Sequence, residues 1–362
     1  MVNKKVKAQH KTLKKPLKKR INGHGHLLPT PKQIPSFMKD NKFFWVDEDR
    51  QFMRQGNWSR PITDKSFFLD EKREWMAENN IDHEVVLCLS QLYCNGVNEK
   101  DTLDIIRFQN DFNASVQHLH PKSFTTGFVV QPAHLEQALN EIERCASMGM
   151  KLLCLSTHYQ ASNGEWLSVC DASVEPIWQL ANELNLAIEI HPYDAGKMVK
   201  LTNQFWRHHL VWMMAQTADT HLMFTYNGFA KKFPNVRTCF AHGGMLSQAN
   251  FGRTIQGVEG RPDLFPNAYH PGETVRQPNV FYDTLVHDIH TLGLMIKRNG
   301  FEQIVWGVDD PYPLGEMATV DGCYPGILLE EAVAAHVINK KQRKAIMHSN
   351  VIDWLGYDPF AK

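Results

Sequence analysis

After residue 20 the sequence alternates between short apolar runs and longer amphipathic stretches, and this alternation repeats eight times. Several of the runs are almost continuously apolar, as expected for parallel strands that are covered by helices. The predicted strands are 20–25, 85–90, 125–131, 152–157, 187–191, 237–242, 280–286 and 304–309. The predicted helices are 70–79, 102–118, 133–148, 174–185, 203–217, 247–257, 288–298 and 326–337. Eight such units predict an α/β fold that closes as a (β/α)8 TIM barrel.

Residues 27–68 interrupt the regular alternation between the first and second predicted strands. The loops that follow the strands build the active site of a barrel, so an insertion after strand 1 is expected to lie over that site. Its arginines Arg50 and Arg54 are candidates for binding an anionic substrate. A cap that only shields the core is an equally good interpretation. Residues 21–362 are predicted to form one barrel domain that carries this insertion.

Four of the predicted strands end in residues that bind metals. The segments are NGHGH at 22–26, EIHP at 189–192, FAHGG at 240–244 and WGVDDPYPLGE at 306–316. Residues i and i+2 of a strand point to the same face, so His24 and His26 can reach one ion. The ends of successive barrel strands meet at one rim, which also brings in His191 and Asp309. The sequence therefore predicts a catalytic divalent-metal centre. Its predicted ligands are His24, His26, His191 and Asp309.

His242 is one histidine more than a catalytic zinc site with an open position requires. We interpret it as a general base or acid beside a water molecule whose pKa the metal lowers towards ~7. Asp309 is expected to complete the ligand set or to orient that water. Gly243 and Gly244 are expected to leave room for substrate next to the His242 ring.

Other catalytic motifs are absent from the sequence. It contains neither a GxxxxGK[ST] nor a GxGxxG phosphate loop, and no GxSxG nucleophile elbow. Asp283 and Asp288, near the seventh predicted strand, are either acid–base groups or carboxylates that are solvated or paired. The metal motifs thus remain the features that point to a chemistry.

Composition and charge bear on the compartment in which the protein works and on its possible partners. The chain has seven cysteines but no CxxC pair, and no apolar run approaches the ~20 residues of a membrane helix. Scattered cysteines, odd in number, fit a reducing cytoplasm better than a disulfide framework. Residues 1–20 hold nine basic residues and no acidic one, although the whole chain has no net charge. We expect a disordered tail rather than a nucleic-acid or membrane arm, because the segment has no aromatic residue and no apolar face.

Three segments are more specific than the metal motif. They are FPNVRTCFAHGG at 233–244, FYDTLVHD at 281–288 and GVDDPYPLGE at 307–316. With them the chain resembles, from about residue 21 onwards, the 2-amino-3-carboxymuconate-6-semialdehyde decarboxylase family of the metal-dependent amidohydrolase superfamily. The resemblance implies the ligands named above, zinc or alternatively manganese as the ion, and His242 as the base. It also implies loss of CO₂ from a dicarboxylate without an organic cofactor, in the kynurenine branch of tryptophan catabolism.

The resemblance further implies that Arg253, eleven residues after the FAHGG histidine, reaches the active site of a second subunit in a homodimer. A second substrate arginine is implied in the insertion, where Arg50 and Arg54 compete for the role. Two positions depart from the family pattern. Asn22 stands where an acid commonly precedes the first histidine, and Asp310 stands where a tyrosine is common. These departures leave room for a related aromatic-acid decarboxylase or an amidohydrolase-type hydrolase.

Overall fold

The computed structural model describes residues 19–193, 195–317 and 322–361. At its centre lies a sheet of eight parallel strands, in which each strand pairs with the next one along the chain. The strands are β1 (Ile21–His26), β2 (His83–Leu87), β3 (Phe124–Val129), β4 (Leu152–Ser156), β5 (Ala187–His191), β6 (Arg237–Phe240), β7 (Val280–Asp283) and β8 (Ile304–Val305). All eight predicted strands are present, although six of them end earlier than predicted: β2, β3, β4, β6, β7 and β8. Most of the predicted tail, residues 1–18, lies outside the described residues.

The sheet closes between β1 and the segment that follows β8. The Gly23 N–H donates to the Trp306 carbonyl at 2.7 Å, and the His26 N–H donates to the Asp310 carbonyl at 2.8 Å. A bridge between Gly25 and Asp310 continues this pairing. The protein is therefore a (β/α)8 TIM barrel, as predicted.

A helix follows each strand on the outside of the barrel. The helices are α1 (Leu69–Glu78), α2 (Glu99–Leu119), α3 (Leu135–Ser147), α4 (Glu175–Glu183), α5 (Met213–Tyr226), α6 (Met245–Gly260), α7 (Ile289–Asn299) and α8 (Ile327–Ala334). Further along the chain, Asn350–Leu355 forms a short helix. Within the described ranges, none of the helices combines the length and apolar character that crossing a bilayer would need.

The prediction for the fifth helix is wrong in position. It was expected at 203–217, but α5 begins at Met213. Phe205 and Trp206 have positive φ angles of 54° and 56°, which an α-helix does not allow, and a π-helical turn covers His208–Trp212. The apolar pattern of this segment reflects contact with a cavity rather than one helical face.

The core lies on both faces of the sheet. Every residue of β2, β3, β4 and β5 is buried, because helices cover the outer face and side chains fill the barrel. In α3 the buried residues recur at a spacing of three or four, which gives the helix one face towards the sheet. They are Ala138, Glu141, Ile142 and Cys145.

The insertion at 27–68 forms a small layer of its own after β1. It contains the helix Ser36–Asp40 and an antiparallel sheet of Trp45–Val46, Phe52–Gln55 and Trp58–Pro61. Phe44 and Met53 are fully buried, which anchors the layer on the barrel. Arg60, on its last strand, lines the cavity described below. The insertion therefore both covers apolar surface and contributes to the site.

Candidate metal centre

The first pair of candidate ligands lies at the carboxyl end of β1. A single residue separates His24 from His26 in the strand, so both side chains point to the same face, into the barrel, and both are buried. Their Nε2 atoms lie 3.2 Å apart. Asp309, which follows β8, places Oδ1 at 3.5 Å from Nε2 of His24 and at 3.2 Å from Nε2 of His26. Three donor atoms of the kinds that bind zinc therefore converge on one point.

His191 and His242 complete a ring of four imidazoles around that point. His191 ends β5, and its ring centroid lies 5.4 Å from that of His24 and 5.9 Å from that of His26. His242 follows β6, with centroid distances of 4.9 Å to His191 and 5.7 Å to His24. One nitrogen each of His24, His191 and His242 lies within 4.8 Å of the others. This position puts His242 in reach of either an ion or a group that reacts beside it.

Asp283, at the end of β7, orients two of these histidines. Its Oδ2 accepts hydrogen bonds from Nδ1 of His24 at 2.8 Å and from the His242 N–H at 3.0 Å, while Oδ1 accepts from the Gly243 N–H at 2.8 Å. The proton of His24 therefore belongs on Nδ1, which leaves Nε2 available to a metal. The sequence left Asp283 open as an acid–base group or as a solvated or paired carboxylate, and the structure shows that it is paired. Asp288 has a different role and caps the N-terminus of α7.

Burial keeps most of the imidazoles neutral. Burial, reinforced by the neighbouring histidines, lowers the pKa of His191 well below its ordinary value. Burial also lowers the pKa values of His26 and His242. Burial also acts to lower the pKa of His24. The hydrogen bond to Asp283 and the charge of Asp309 outweigh burial, so the pKa of His24 is raised. Neutral imidazole is the form that binds a metal ion, so this donor set fits a divalent cation.

A sharp turn after β6 directs the His242 ring towards the centre. His242, Gly243 and Gly244 have positive φ angles of 54°, 63° and 61°, in the region that glycine adopts freely. A Cβ on Gly243 would lie 2.5 Å from Cγ1 of Val286, and a Cβ on Gly244 would lie 2.9 Å from Oγ of Ser247. Protein atoms fill the space beside both glycines. The expectation that they leave room for substrate is therefore wrong, and the glycines are needed for the turn itself.

A cavity of ≈ 160 Å³ opens onto the centre, and His191, His242 and Asp309 line it. Much of the wall is apolar or aromatic. It includes Trp206, Leu210, Met213, Met214, Met245 and Leu285. Candidate metal-binding groups therefore face a cavity with a largely apolar wall.

The structure does not bring the predicted substrate arginines to this cavity. Arg50 pairs with Glu71 at 2.6 Å, and Arg54 pairs with Asp47 through contacts of 2.6 and 2.8 Å. Neither arginine lines the cavity. Arg253, which is exposed on α6, does not line it either. The ion pairs of Arg50 and Arg54 hold them within or beside the insertion.

Arg60 and His209 are polar groups of the cavity wall that sequence analysis missed. The Arg60 guanidinium carbon lies 4.5 Å from the centroid of the Tyr312 ring, and within the described part of the chain no salt bridge engages it. Arg60 lies opposite Met53 in the hairpin, a register that the sequence does not reveal. His209 belongs to the π-helical turn, and burial together with the Arg60 charge lowers its pKa to about 4. These two side chains therefore add a cation and a further neutral imidazole to the wall.

Comparison with known proteins agrees with this geometry. The family model described as Amidohydrolase matches residues 21–356. The chain belongs to the amidohydrolase family. It is similar to a 2-amino-3-carboxymuconate-6-semialdehyde decarboxylase of Dictyostelium discoideum, with 26% identity over 350 residues that cover 94% of this chain and 92% of that protein. The resemblance noted from the sequence is thereby confirmed.

Solved amidohydrolase-like structures share the fold. The 5-carboxyvanillate decarboxylase of Sphingomonas paucimobilis aligns with a TM-score of 0.72 at 17% identity, over 94% of this chain and 100% of that one. A dihydroxybenzoic acid decarboxylase of Polaromonas sp. JS666, solved with manganese and the inhibitor 2-nitroresorcinol, aligns with a TM-score of 0.67 at 16% identity, over 93% and 97% of the two chains. At these identities the comparison establishes the barrel fold only. The reaction has to be inferred from the residues of this chain.

Proposed function

We propose that this amidohydrolase is a divalent-metal-dependent carboxy-lyase. The observation that carries the proposal is a pair of donor groups that share His24. One group adds His26 and Asp309, the other adds His191 and His242, and a small-molecule cavity opens beside them. The decarboxylase names of the similar proteins direct the choice of reaction. The specific substrate we propose is 2-amino-3-carboxymuconate 6-semialdehyde, which would place the enzyme in tryptophan catabolism.

The candidate ligands are His24, His26, His191 and Asp309. Imidazole nitrogens with one carboxylate suit zinc, which we propose as the ion, and manganese is the alternative that a structural relative contains. A bound divalent ion supplies a Lewis acid and lowers the pKa of water that it binds. Asp283 keeps the His24 ring in the tautomer that this role needs.

The chain's own groups account for the proton and charge movements of a decarboxylation. Loss of CO₂ breaks a carbon–carbon bond and leaves an electron pair on the carbon that carried the carboxylate, and that carbon must take up a proton. His242 is half-buried and lines the cavity, where it is placed to deliver or remove a proton. The apolar wall keeps bulk water away, which strengthens the hydrogen bonds and charges that act on the substrate.

We infer that Arg60, rather than Arg50 or Arg54, binds a substrate carboxylate within the same chain. It is the arginine that lines the cavity among the described residues, and no salt bridge between described residues engages it. A guanidinium can bind a carboxylate through two parallel hydrogen bonds. A dicarboxylate has a second negative group, and we propose that Arg253 of another subunit binds it in a homodimer with shared active sites.

A related aromatic-acid decarboxylase is the second candidate. Trp206 lines the cavity, and Tyr312 stacks beneath the Arg60 guanidinium, so a flat aromatic acid could lie between apolar walls with its carboxylate near Arg60. A hydrolase of the same family would use the same metal groups. The proposed decarboxylase, the aromatic-acid decarboxylase and the hydrolase differ in the product that each releases.

The direct test is turnover by the purified protein after loading with Zn²⁺ or Mn²⁺. We expect the near-ultraviolet absorbance of freshly prepared aminocarboxymuconate semialdehyde to fall, with release of one CO₂ per substrate consumed. 2,6-Dihydroxybenzoate and 5-carboxyvanillate, assayed in parallel, test the aromatic alternative. If none of these acids loses CO₂ while amide or lactone substrates are cleaved, the protein is a hydrolase and the proposal is wrong.

A further inference from the structure

A cluster of four buried polar side chains lies behind the candidate metal centre and outside the cavity. Its members come from α1, β1, β2 and the segment after β8. They are Lys72, Asn22, Glu84 and Asp310, each with 0% of its surface exposed. Lys72 forms ion pairs with Asp310 and, at 3.1 Å, with Glu84. The amide of Asn22 donates hydrogen bonds to Oδ1 of Asp310 at 2.6 Å and to Oε2 of Glu84 at 3.3 Å.

Stability alone does not account for this cluster. Removing an ammonium and a carboxylate from water costs several kcal/mol per ion, and buried ion pairs are often replaced by apolar residues without loss of stability. Burial and the charge of Asp310 raise the pKa of Glu84 to about 8, against the opposing charge of Lys72. A barrel that needed only to close could do so with apolar side chains. A buried charged pair at this seam instead suggests a requirement for one defined geometry.

The cluster is tied directly to the backbone of the candidate ligands. Oδ1 of Asn22 accepts hydrogen bonds from the His24 N–H at 3.1 Å and from the Val308 N–H at 3.0 Å. The Asp310 carbonyl accepts from the His26 N–H at 2.8 Å. Asp310 also follows Asp309 directly in the chain. The same side chains therefore hold β1 and the segment after β8 in one register.

We propose that Lys72, Asp310 and Asn22 are positioning residues of the metal centre. They fix the alignment of β1 with the segment after β8, and this alignment makes His24, His26 and Asp309 converge. A slip of one residue between strands would turn the ligands to the other face. Asn22 and Asp310 are also the two positions that depart from the family pattern. They act as a matched pair, because an acid at position 22 would remove the amide that donates to Oδ1 of Asp310.

The inference rests on the metal centre proposed above, so its test measures metal binding rather than turnover. Affinities for Zn²⁺ and Mn²⁺ are measured by chelator competition with metal-free protein, and urea unfolding of the same samples is followed in parallel. Partners that orient metal ligands typically contribute about 10–100-fold to affinity. We expect Lys72→Met to weaken binding by that factor. Arg73→Met changes the next residue, which is exposed on α1, and should bind both metals like the wild type.

An exchange of residues separates positioning from a general loss of stability. Asn22→Asp alone sets two carboxylates against each other and should weaken metal binding. The double variant Asn22→Asp/Asp310→Asn again pairs a donor amide with an acceptor carboxylate and leaves an oxygen for Lys72, so affinity should recover to within about threefold of wild type.

Three outcomes would decide against the proposal. The first is that Lys72→Met binds metal as tightly as wild type or more tightly while its unfolding midpoint falls. The second is that Asn22→Asp alone binds metal as tightly as wild type. The third is that the exchange variant binds metal no more tightly than Asn22→Asp. If Lys72→Met does not fold, the second and third outcomes still test the proposal. Wild-type protein that binds neither ion would instead refute the proposed metal centre.

Discussion

At the scale of single residues, the centre combines side chains that offer a donor atom with side chains that orient it. His24 and His26 direct Nε2 towards a common point, and Asp283 fixes the His24 ring through Nδ1. His242 receives its orientation differently, through its own backbone turn and its N–H bond to Asp283. Asp283 therefore orients a candidate ligand and the candidate base together, and substitution of the histidines themselves should separate their roles.

Replacing His26 by Ala should remove most of the bound metal and the activity, since its Nε2, which lies near Nε2 of His24 and Oδ1 of Asp309, is lost. Metal content of the purified variant, measured by elemental analysis, checks this. His290→Ala, at an exposed position of α7, is the matched control and should retain the metal. Stoichiometric metal in His26→Ala would show that this histidine is not a ligand.

Replacing His242 by Ala should leave the metal in place and lower kcat by roughly 10²–10⁴-fold, the usual contribution of general acid–base catalysis. Elemental analysis and steady-state kinetics on the same preparation test both parts of the expectation. Loss of the ion from this variant would make His242 a ligand, which its distance to His24 and His191 also permits.

Replacing Arg60 by Met should raise KM for an acidic substrate by about 10–100-fold, because a hydrogen-bonded charge contributes about 1.5–3 kcal/mol. Arg54→Met provides the control: this arginine pairs with Asp47 and does not line the cavity. Steady-state kinetics with both variants decides between the two arginines. A larger rise in KM for Arg54→Met would restore the interpretation made from the sequence.

At the scale of secondary-structure elements, polar residues within the barrel strands link neighbouring strands. His83 begins β2 and is fully buried; its Nε2 lies 2.9 Å from the Thr125 hydroxyl of β3 and its Nδ1 lies 3.1 Å from the Lys122 carbonyl. The carbonyl can only accept, so Nδ1 carries the proton and Nε2 accepts from Thr125. Burial lowers the pKa of His83 to about 4, so the ring is neutral in the folded protein.

This arrangement makes stability depend on pH. The unfolded chain binds a proton at His83 below its ordinary pKa of about 6.5, whereas the fold excludes that proton down to about 4. The stabilisation is therefore complete above about 6.5 and is lost as pH falls towards about 4, by up to about 3 kcal/mol. His83→Gln can keep both hydrogen bonds but cannot titrate. Urea unfolding of the metal-free proteins between these pH values should show a smaller loss for the variant; equal losses would contradict the assignment.

The elements also show what the sequence could and could not predict. The order of the strands was predictable because apolar runs and strand-end histidines repeat around the barrel. That topology brings His24 close to His26 and Asp309 and also close to His191, and their role as ligands stays a prediction. Arg60 was not predictable, because a short hairpin strand does not reveal which face meets the cavity. Lys72 looks like a solvated lysine of the charged stretch DEKRE, yet it is fully buried. Tertiary contact, rather than local pattern, determines such positions.

At the scale of the whole molecule, the cavity of one chain contains one arginine among the described residues that line it, whereas the proposed substrate has two carboxylates. Arg253 is exposed on α6. A second copy of the chain that docks at this face could supply the missing charge. The proposed active unit is then the homodimer.

Mixing two inactive variants tests this unit. Arg253→Ala and His242→Ala, mixed in equal amounts under conditions that exchange subunits, should recover roughly a quarter of wild-type activity. Half of the dimers are mixed, and one site of each mixed dimer has both residues intact, as two-fold symmetry requires. Arg253→Lys should not substitute for wild type, because an ammonium lacks the two-pronged donor geometry. If mixing restores no activity, Arg253 either acts in the active site of its own chain or has no role in the reaction.

The closure of the barrel also has a consequence for how the protein acquires its ion during synthesis. Asn22 and Asp310, which join the two edges beside the centre, are 288 residues apart in sequence. At about 5–20 residues per second, a ribosome needs roughly 15–60 s to make the chain between them. Throughout that time His24 and His26 lack the carboxylate that completes their convergence. Firm uptake of the ion must therefore follow translation of the final strand, and a nascent chain arrested before residue 309 should give up its metal to a chelator that the finished protein resists.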